Sequence, residues 1–132
     1  MDYGFESTEE VQYDKQGLPV GDNQLVMIIG EEEDPEGRGV IAEYEMLDGE
    51  HKGRKGKVWY LTKHPTSQQT ANIAKQNLKR IADATGKAVS PSAPLKGRVF
   101  RIDVRVQKKD DRYTEIARYH PESHKGDDLS PP

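Results

Sequence analysis

Apolar and polar positions recur along this chain with two different periods, and the periods mark out six elements. Residues 25–29, Leu25-Val26-Met27-Ile28-Ile29, form an unbroken apolar run of branched side chains, as in a strand covered on both faces. Glycine, proline and five acids in residues 30–37 close that run as a solvated connection. Over residues 38–47 the period is two. Val40, Ala42, Tyr44 and Met46 share one face, and Ile41, Glu43, Glu45 and Leu47 the other. A turn at residues 48–53 leads to a third strand, from Lys55 to about Thr62. There Val58, Tyr60 and Thr62 alternate with Lys57, Trp59, Leu61 and Lys63, so Trp59 is expected to point outward and Tyr60 inward. After His64-Pro65 the period lengthens to that of a helix, predicted over residues 68–85. Ala71, Ala74, Leu78, Ile81, Ala82 and Thr85 make its apolar stripe, Thr66 and Gln69 a capping box, and Gly86 the stop. A proline-containing loop follows. A fourth strand is predicted over residues 99–108, with Phe100, Ile102, Val104 and Val106 on one face and Arg101, Asp103, Arg105 and Gln107 on the other. The last strand, residues 112–119, sets Thr114 and Ile116 against Tyr113, Glu115, Ala117 and Tyr119.

Three strands, a helix and two strands is the order of the oligonucleotide-binding (OB) barrel. The expected fold class is therefore mainly β with one helix: a five-stranded OB-like barrel over residues 24–120, the helix lying between strands 3 and 4. An irregular lead-in, residues 1–23, precedes it, with Leu18 or Val20 anchoring its turn. A disordered polar tail, residues 121–132, follows.

Composition narrows the class of protein. Hydrophobic and charged residues each make up 33% of the 132, so the core must be small. There is no cysteine, which excludes disulfides, thiolate metal sites and cysteine nucleophiles. No apolar run approaches the ~18 residues of a membrane span, and residues 1–6 lack the pattern of a signal peptide. An intracellular protein without membrane contact is expected.

Charge changes the picture more. Residues 1–50 hold 15 acids against two bases, residues 51–119 hold 17 bases against five acids, and residues 120–132 add three acids and one base. The blocks carry −13, +12 and −2 within a net charge of −3. The basic block can attract phosphates, or the two halves can neutralise each other across adjacent strands.

The strand at residues 53–63 concentrates the candidate chemistry. It carries the only tryptophan among cations with no acid. Binding a single-stranded nucleic acid takes cations for phosphates and flat rings for unpaired bases. Lys52, Arg54, Lys55, Lys57, Trp59 and Lys63 supply both, and Arg101, Arg105, Arg112 and Tyr113 form a second group on the last two strands. Nothing resembles a base-edge code, so sequence-independent binding is expected.

Enzymatic signatures are weak. Gly56-Lys57 lacks the earlier glycine and the hydroxyl of a phosphate loop. The four histidines fall in turns or the tail, and the acids of residues 31–36 lack the ligand spacing of a calcium loop. Glu43, Glu45 and Asp103 are the one plausible carboxylate set for a metal nuclease. No catalytic residue, metal or cofactor is expected.

Residues 18–21 (Leu-Pro-Val-Gly), residues 49–54 (Gly-Glu-His-Lys-Gly-Arg), and the segments Ile73-Ala74 to Ala84-Thr85-Gly86 and Leu95-Lys96-Gly97 also carry a resemblance. Together they cover residues 13–121 and resemble a family of small bacteriophage proteins classed as a domain of unknown function. The resemblance implies a single-stranded-DNA-binding or accessory protein acting in phage DNA recombination and replication in the host cytoplasm. The partners it implies are single-stranded DNA and phage recombination or replication proteins. The alternative is a protein-interaction accessory module that engages a basic recombinase through its acidic half. Whether the chain forms a homo-oligomer stays open.

Overall fold

A computed structural model describes residues 17–90, 92–108 and 111–125. The lead-in before Gly17 and the tail beyond Lys125 lie outside the described residues. The strands are β1 (Gly21–Glu33), β2 (Val40–Met46), β3 (Lys55–Tyr60), β4 (Val99–Val106) and β5 (Thr114–His120), with one helix, α1 (Gln68–Thr85), between β3 and β4. All pairings are antiparallel and the sheet order is β3-β2-β1-β4-β5. The sheet curls into a half-barrel of OB-like form whose two edge strands, β3 and β5, face each other across an open seam. No helix among the described residues is long and apolar enough to cross a membrane.

One face of every strand builds the core. Val26 and Ile28 of β1, Ala42, Tyr44 and Met46 of β2, Tyr60 of β3, and Phe100, Ile102 and Val104 of β4 are all but fully buried. Ala74 and Ile81 of α1 complete the cluster with Leu18 and Leu95. Tyr60 points inward and Trp59 outward, as the alternation requires. The face of β2 read from its period is also the buried one.

Four local features depart from the expected pattern. First, β1 runs to 13 residues because its backbone keeps pairing with β2 through Glu33. The acids Glu31 to Glu33 therefore lie on a strand rather than in a loop. Second, a bulge between Asp103 and Val104 pairs Val104 with Ile116 and Asp103 with Arg118, leaving Ala117 as the extra residue. That one-residue slip turns Tyr119 inward beside Ile102, on the same side as Ile116. Third, the helix cap is Ser67 rather than Thr66. Its Oγ accepts from Thr70 N at 3.1 Å, and His64 Nδ1 accepts from the Ser67 amide at 3.1 Å. Fourth, Val106, expected on the apolar face of β4, is exposed because the core ends one pair earlier.

The helix stops at Gly86, which takes the left-handed conformation (φ 68°). Arg98 then secures the loop beyond. Its buried guanidinium donates to Thr85 Oγ1 (2.9 Å) and to the carbonyls of Lys87, Ala88 (2.7 Å), Ala93 (2.8 Å) and Pro94 (2.9 Å). One side chain thereby ties the end of the helix to the loop beyond it, alongside the backbone pair Ser90–Ala93.

Leu18, not Val20, is the anchor of the entering chain: Leu18 is buried and Val20 exposed. Gly56 makes room for it. A Cβ there would stand 2.8 Å from Leu18 Cδ2 and 2.9 Å from the Gly17 carbonyl oxygen. Thr114 Oγ1 donates to the Leu18 carbonyl at 2.8 Å, so this segment lies against both edge strands.

Candidate nucleic-acid interface

The seam between β3 and β5 is held from inside by three phenols. Tyr44 and Tyr60 have their hydroxyl oxygens 2.5 Å apart, and those of Tyr60 and Tyr119 are 2.9 Å apart. Burial holds all three well above the usual tyrosine range, so they stay protonated and serve as hydrogen-bonding groups.

Outside this bridge the seam opens into a cleft of about 760 Å³ between the β3 edge, the start of β5 and one flank of α1. That size is within the ~300–1,000 Å³ usual for ligand pockets. Its walls carry both aromatic and cationic side chains. Trp59 and Tyr113, each 41% exposed, line it with Arg54, Lys57 and Arg112. The Arg112 guanidinium lies 5.7 Å from the centroid of the Tyr113 ring. Ile73 and Val20, each 49% exposed, add apolar surface.

Five of the ten candidate residues thus meet in one place: Arg54, Lys57, Trp59, Arg112 and Tyr113. The other five do not join them. Lys52 is in the exposed β2–β3 turn. Lys55 is on the outer face of β3, opposite Glu45 in register. Lys63 lies beside Glu31, Glu32 and Glu33 in a shallow depression at the far end of β3. Arg101 donates from Nη1 to Asp48 (3.3 Å) and to the Asn23 carbonyl (3.0 Å), and from Nε to the Glu122 carbonyl (2.8 Å). Arg105 pairs with Asp22. The last two arginines spend their donors within the fold.

The outer face of β1, β2 and β3 is close to charge-balanced. Lys57 stands opposite Glu43, and its Nζ is 3.6 Å from Glu32 Oε1. With Asp48–Arg101 and Asp22–Arg105, these contacts join the acidic first part of the chain to the basic second part. On that face the cations meet the chain's own acids.

The carboxylates considered for a metal do not converge. Glu43 and Glu45 lie on β2, and Asp103 is on β4 with β1 between. Asp103 is buried: Oδ1 accepts from Asn23 N at 2.7 Å, and Oδ2 is 3.1 Å from His120 Nε2. Burial opposes its ionisation, but those two contacts outweigh it and hold the carboxyl below its usual value. Among the described residues no group of three or more His, Asp or Glu side chains could hold a metal ion. In the loop after β1, Asp34 is spent on Arg38, with Arg38 Nε to Oδ2 at 2.9 Å and Nη2 to Oδ1 at 3.0 Å. The amides of Glu36 and Arg38 also donate to it.

Ile73 was the readable signal not used. It is an isoleucine just off the apolar stripe of α1, and a large apolar residue beside a stripe marks a second contact surface. Val20 carried no such mark. No protein-family model matches this chain, and no curated protein matches it significantly.

Proposed function

We propose that this protein binds single-stranded nucleic acid, without reading sequence, in the seam cleft between β3 and β5. The observation that carries this reading is the meeting of Trp59 and Tyr113 with Arg54, Lys57 and Arg112 along one cleft. One ring stands on β3 and the other in the bend just before β5, at opposite edges of the sheet, where unpaired bases can stack. The cations along the walls can take the phosphates between those bases. Of the outer face of β2 and β3, where OB folds usually bind their strand, only Trp59 and Lys57 at the seam take part, Lys57 exchanging its contact with Glu32 for phosphate; the rest of that face is charge-balanced and is assigned no part. No residue is given a catalytic role. Phage DNA recombination or replication, the setting implied by the resemblance of residues 13–121, has use for such a protein.

Trp59 emission titrated with oligo-dT, at low salt and again at raised salt, tests the reading. Quenching at low salt is expected, with the logarithm of affinity falling against the logarithm of salt at a slope of about −2 for three phosphate contacts. Duplex DNA of the same length should bind more weakly, since its bases are not available for stacking. No quenching at low salt, or quenching indifferent to salt, overturns it.

A further inference from the structure

On α1 the cleft-lining residues Thr70, Ile73 and Asn77 follow one another at steps of three and four, so they share one flank of the helix, and the next residue on that flank is Arg80. Arg80 is exposed and stands just beyond the lining. Its Nη1 donates to Asn77 Oδ1 at 3.0 Å. A guanidinium only donates, so the Asn77 atom that meets it is the carbonyl oxygen. The Asn77 Nδ2 group is turned away, with its hydrogens unused by any described residue. Elsewhere the cations meet acids: Lys57 stands 3.6 Å from Glu32, Arg101 meets Asp48 and Arg105 meets Asp22. Arg80 meets a neutral amide instead, and among the described residues no carboxylate pairs with it. Its charge reaches the seam. Burial, and then Tyr60, hold the Tyr119 phenol above the usual tyrosine range, and Arg80 is the one group that opposes them.

We propose that single-stranded nucleic acid leaves the seam cleft along this flank of α1, with one backbone phosphate held between the Arg80 guanidinium and the Asn77 side-chain amide. The inference rests on the proposed function, to which it adds a fourth phosphate contact and a direction for the strand. The remaining N–H groups of the guanidinium form a fork that matches two phosphate oxygens. Asn77 holds one arm of that fork in place, and its own Nδ2 donates beside it. The amide carries no charge, so this contact forms without first breaking an ion pair, whereas Lys57 has to leave Glu32. Ile73, one turn earlier and 49% exposed, gives the adjoining sugar and base an apolar surface.

The test is the oligo-dT affinity of the full chain, read from Trp59 emission over a range of salt, with Arg80→Gln, Arg80→Lys and the control Lys75→Gln. Lys75 is exposed on the same helix, ~140° around it from Arg80. The wild-type slope of log affinity against log salt is expected near about −3, steeper than the value of about −2 for the cleft cations alone, since each contact on a single strand contributes about −0.7. Arg80→Gln should return the slope to about −2 and weaken binding about tenfold at low salt. Arg80→Lys should keep the slope and lose part of the affinity, because an ammonium keeps the charge but not the fork. Lys75→Gln should change neither. Asn77→Ala should also weaken binding, and combined with Arg80→Gln it should cost less than the product of the two single losses. Arg80→Gln with wild-type slope and affinity overturns the inference and leaves the cleft reading standing. Equal losses in Arg80→Gln and Lys75→Gln overturn it too, because they mark long-range attraction to the charge of the helix. Single losses that simply multiply show that Asn77 and Arg80 do not hold one phosphate, and overturn the shared contact. A wild type that fails to bind oligo-dT sinks the proposed function and this inference with it.

Discussion

The hydroxyl oxygens of Tyr60 and Tyr119 lie 2.9 Å apart and join two edge strands that the hydrogen-bonded order of the sheet leaves unpaired. Tyr60 is the middle member, since its hydroxyl also meets Tyr44. A half-barrel whose last two strands meet through side chains can keep a cleft along the seam, which a continuous ladder would have filled with backbone.

This arrangement predicts unequal costs for removing single oxygen atoms. Tyr60→Phe leaves two buried hydroxyls short of a partner and is expected to lose more stability than Tyr119→Phe, at about 1–3 kcal/mol for each group left unsatisfied. Urea unfolding of both single variants and the double variant measures the coupling. Strict additivity, within about 0.5 kcal/mol, would show that the two phenols do not act together.

Trp59 and its neighbour in sequence should separate cleanly by assay. Trp59→Ala removes an exposed ring, and its thermal midpoint should stay near that of the wild type. Its oligo-dT affinity in a gel shift should fall by the loss of one stacking platform, ~1–3 kcal/mol. Tyr60→Ala empties a core position and should cost about 3–5 kcal/mol of stability. A large stability loss for Trp59→Ala would place that ring in the core instead.

Asp34 makes the loop after β1 sensitive to acid. Hydrogen bonding from Arg38, above all, lowers its carboxyl from 3.8 to about 2. A carboxyl depressed in the folded state stabilises fully above its unfolded value, and that stability is lost as pH falls through the folded value. Asp34→Asn is therefore expected to melt below the wild type at pH 7, with the difference closing as pH falls from about 4 to about 2. A difference that stays constant over this range would mean that the ion pair contributes nothing.

Arg98 is expected to be the most costly single cation to lose. Burial disfavours its charge, yet its guanidinium serves four carbonyls and the Thr85 hydroxyl. Arg98→Met removes the donor to the Lys87, Ala88 and Pro94 carbonyls and the Thr85 hydroxyl, leaving the Ala93 carbonyl only its bond from Ser90 N, and should destabilise by about 3 kcal/mol or more. Arg98→Lys should recover little, because an ammonium cannot reach acceptors spread around a planar fork. Equal stability of Arg98→Lys and wild type in urea would refute this account.

How much of this was legible depends on the range over which each feature is decided. The helix from Gln68 to Thr85 and its stop at Gly86 are local, set by a stripe at helical spacing and one residue suited to positive φ. The inward Tyr60 and outward Trp59 follow from alternation within one uninterrupted strand. Tyr119 was misread because alternation survives only until a bulge, and the bulge at Asp103 and Val104 is imposed by pairing between two strands. The partners of Arg98 were not legible because they, Thr85 to Pro94, surround it only after the helix has packed. The acids Glu31 to Glu33 looked like a loop because charge hides a strand held by its backbone alone.

By itself, then, the sequence determined the element order, the OB-like class, the inner and outer faces of β2 and β3, and the split of charge along the chain. Each of these follows from spacing between near neighbours. Tertiary structure alone decided where the cations stand. Arg101 and Arg105 are drawn to Asp48 and Asp22, while Arg54, Lys57 and Arg112 come to one cleft with Trp59 and Tyr113. The reason is physical: charges 50 or 80 residues apart have no spacing to read, and only the curl of the sheet, which sets β3 opposite β5, brings their strands together.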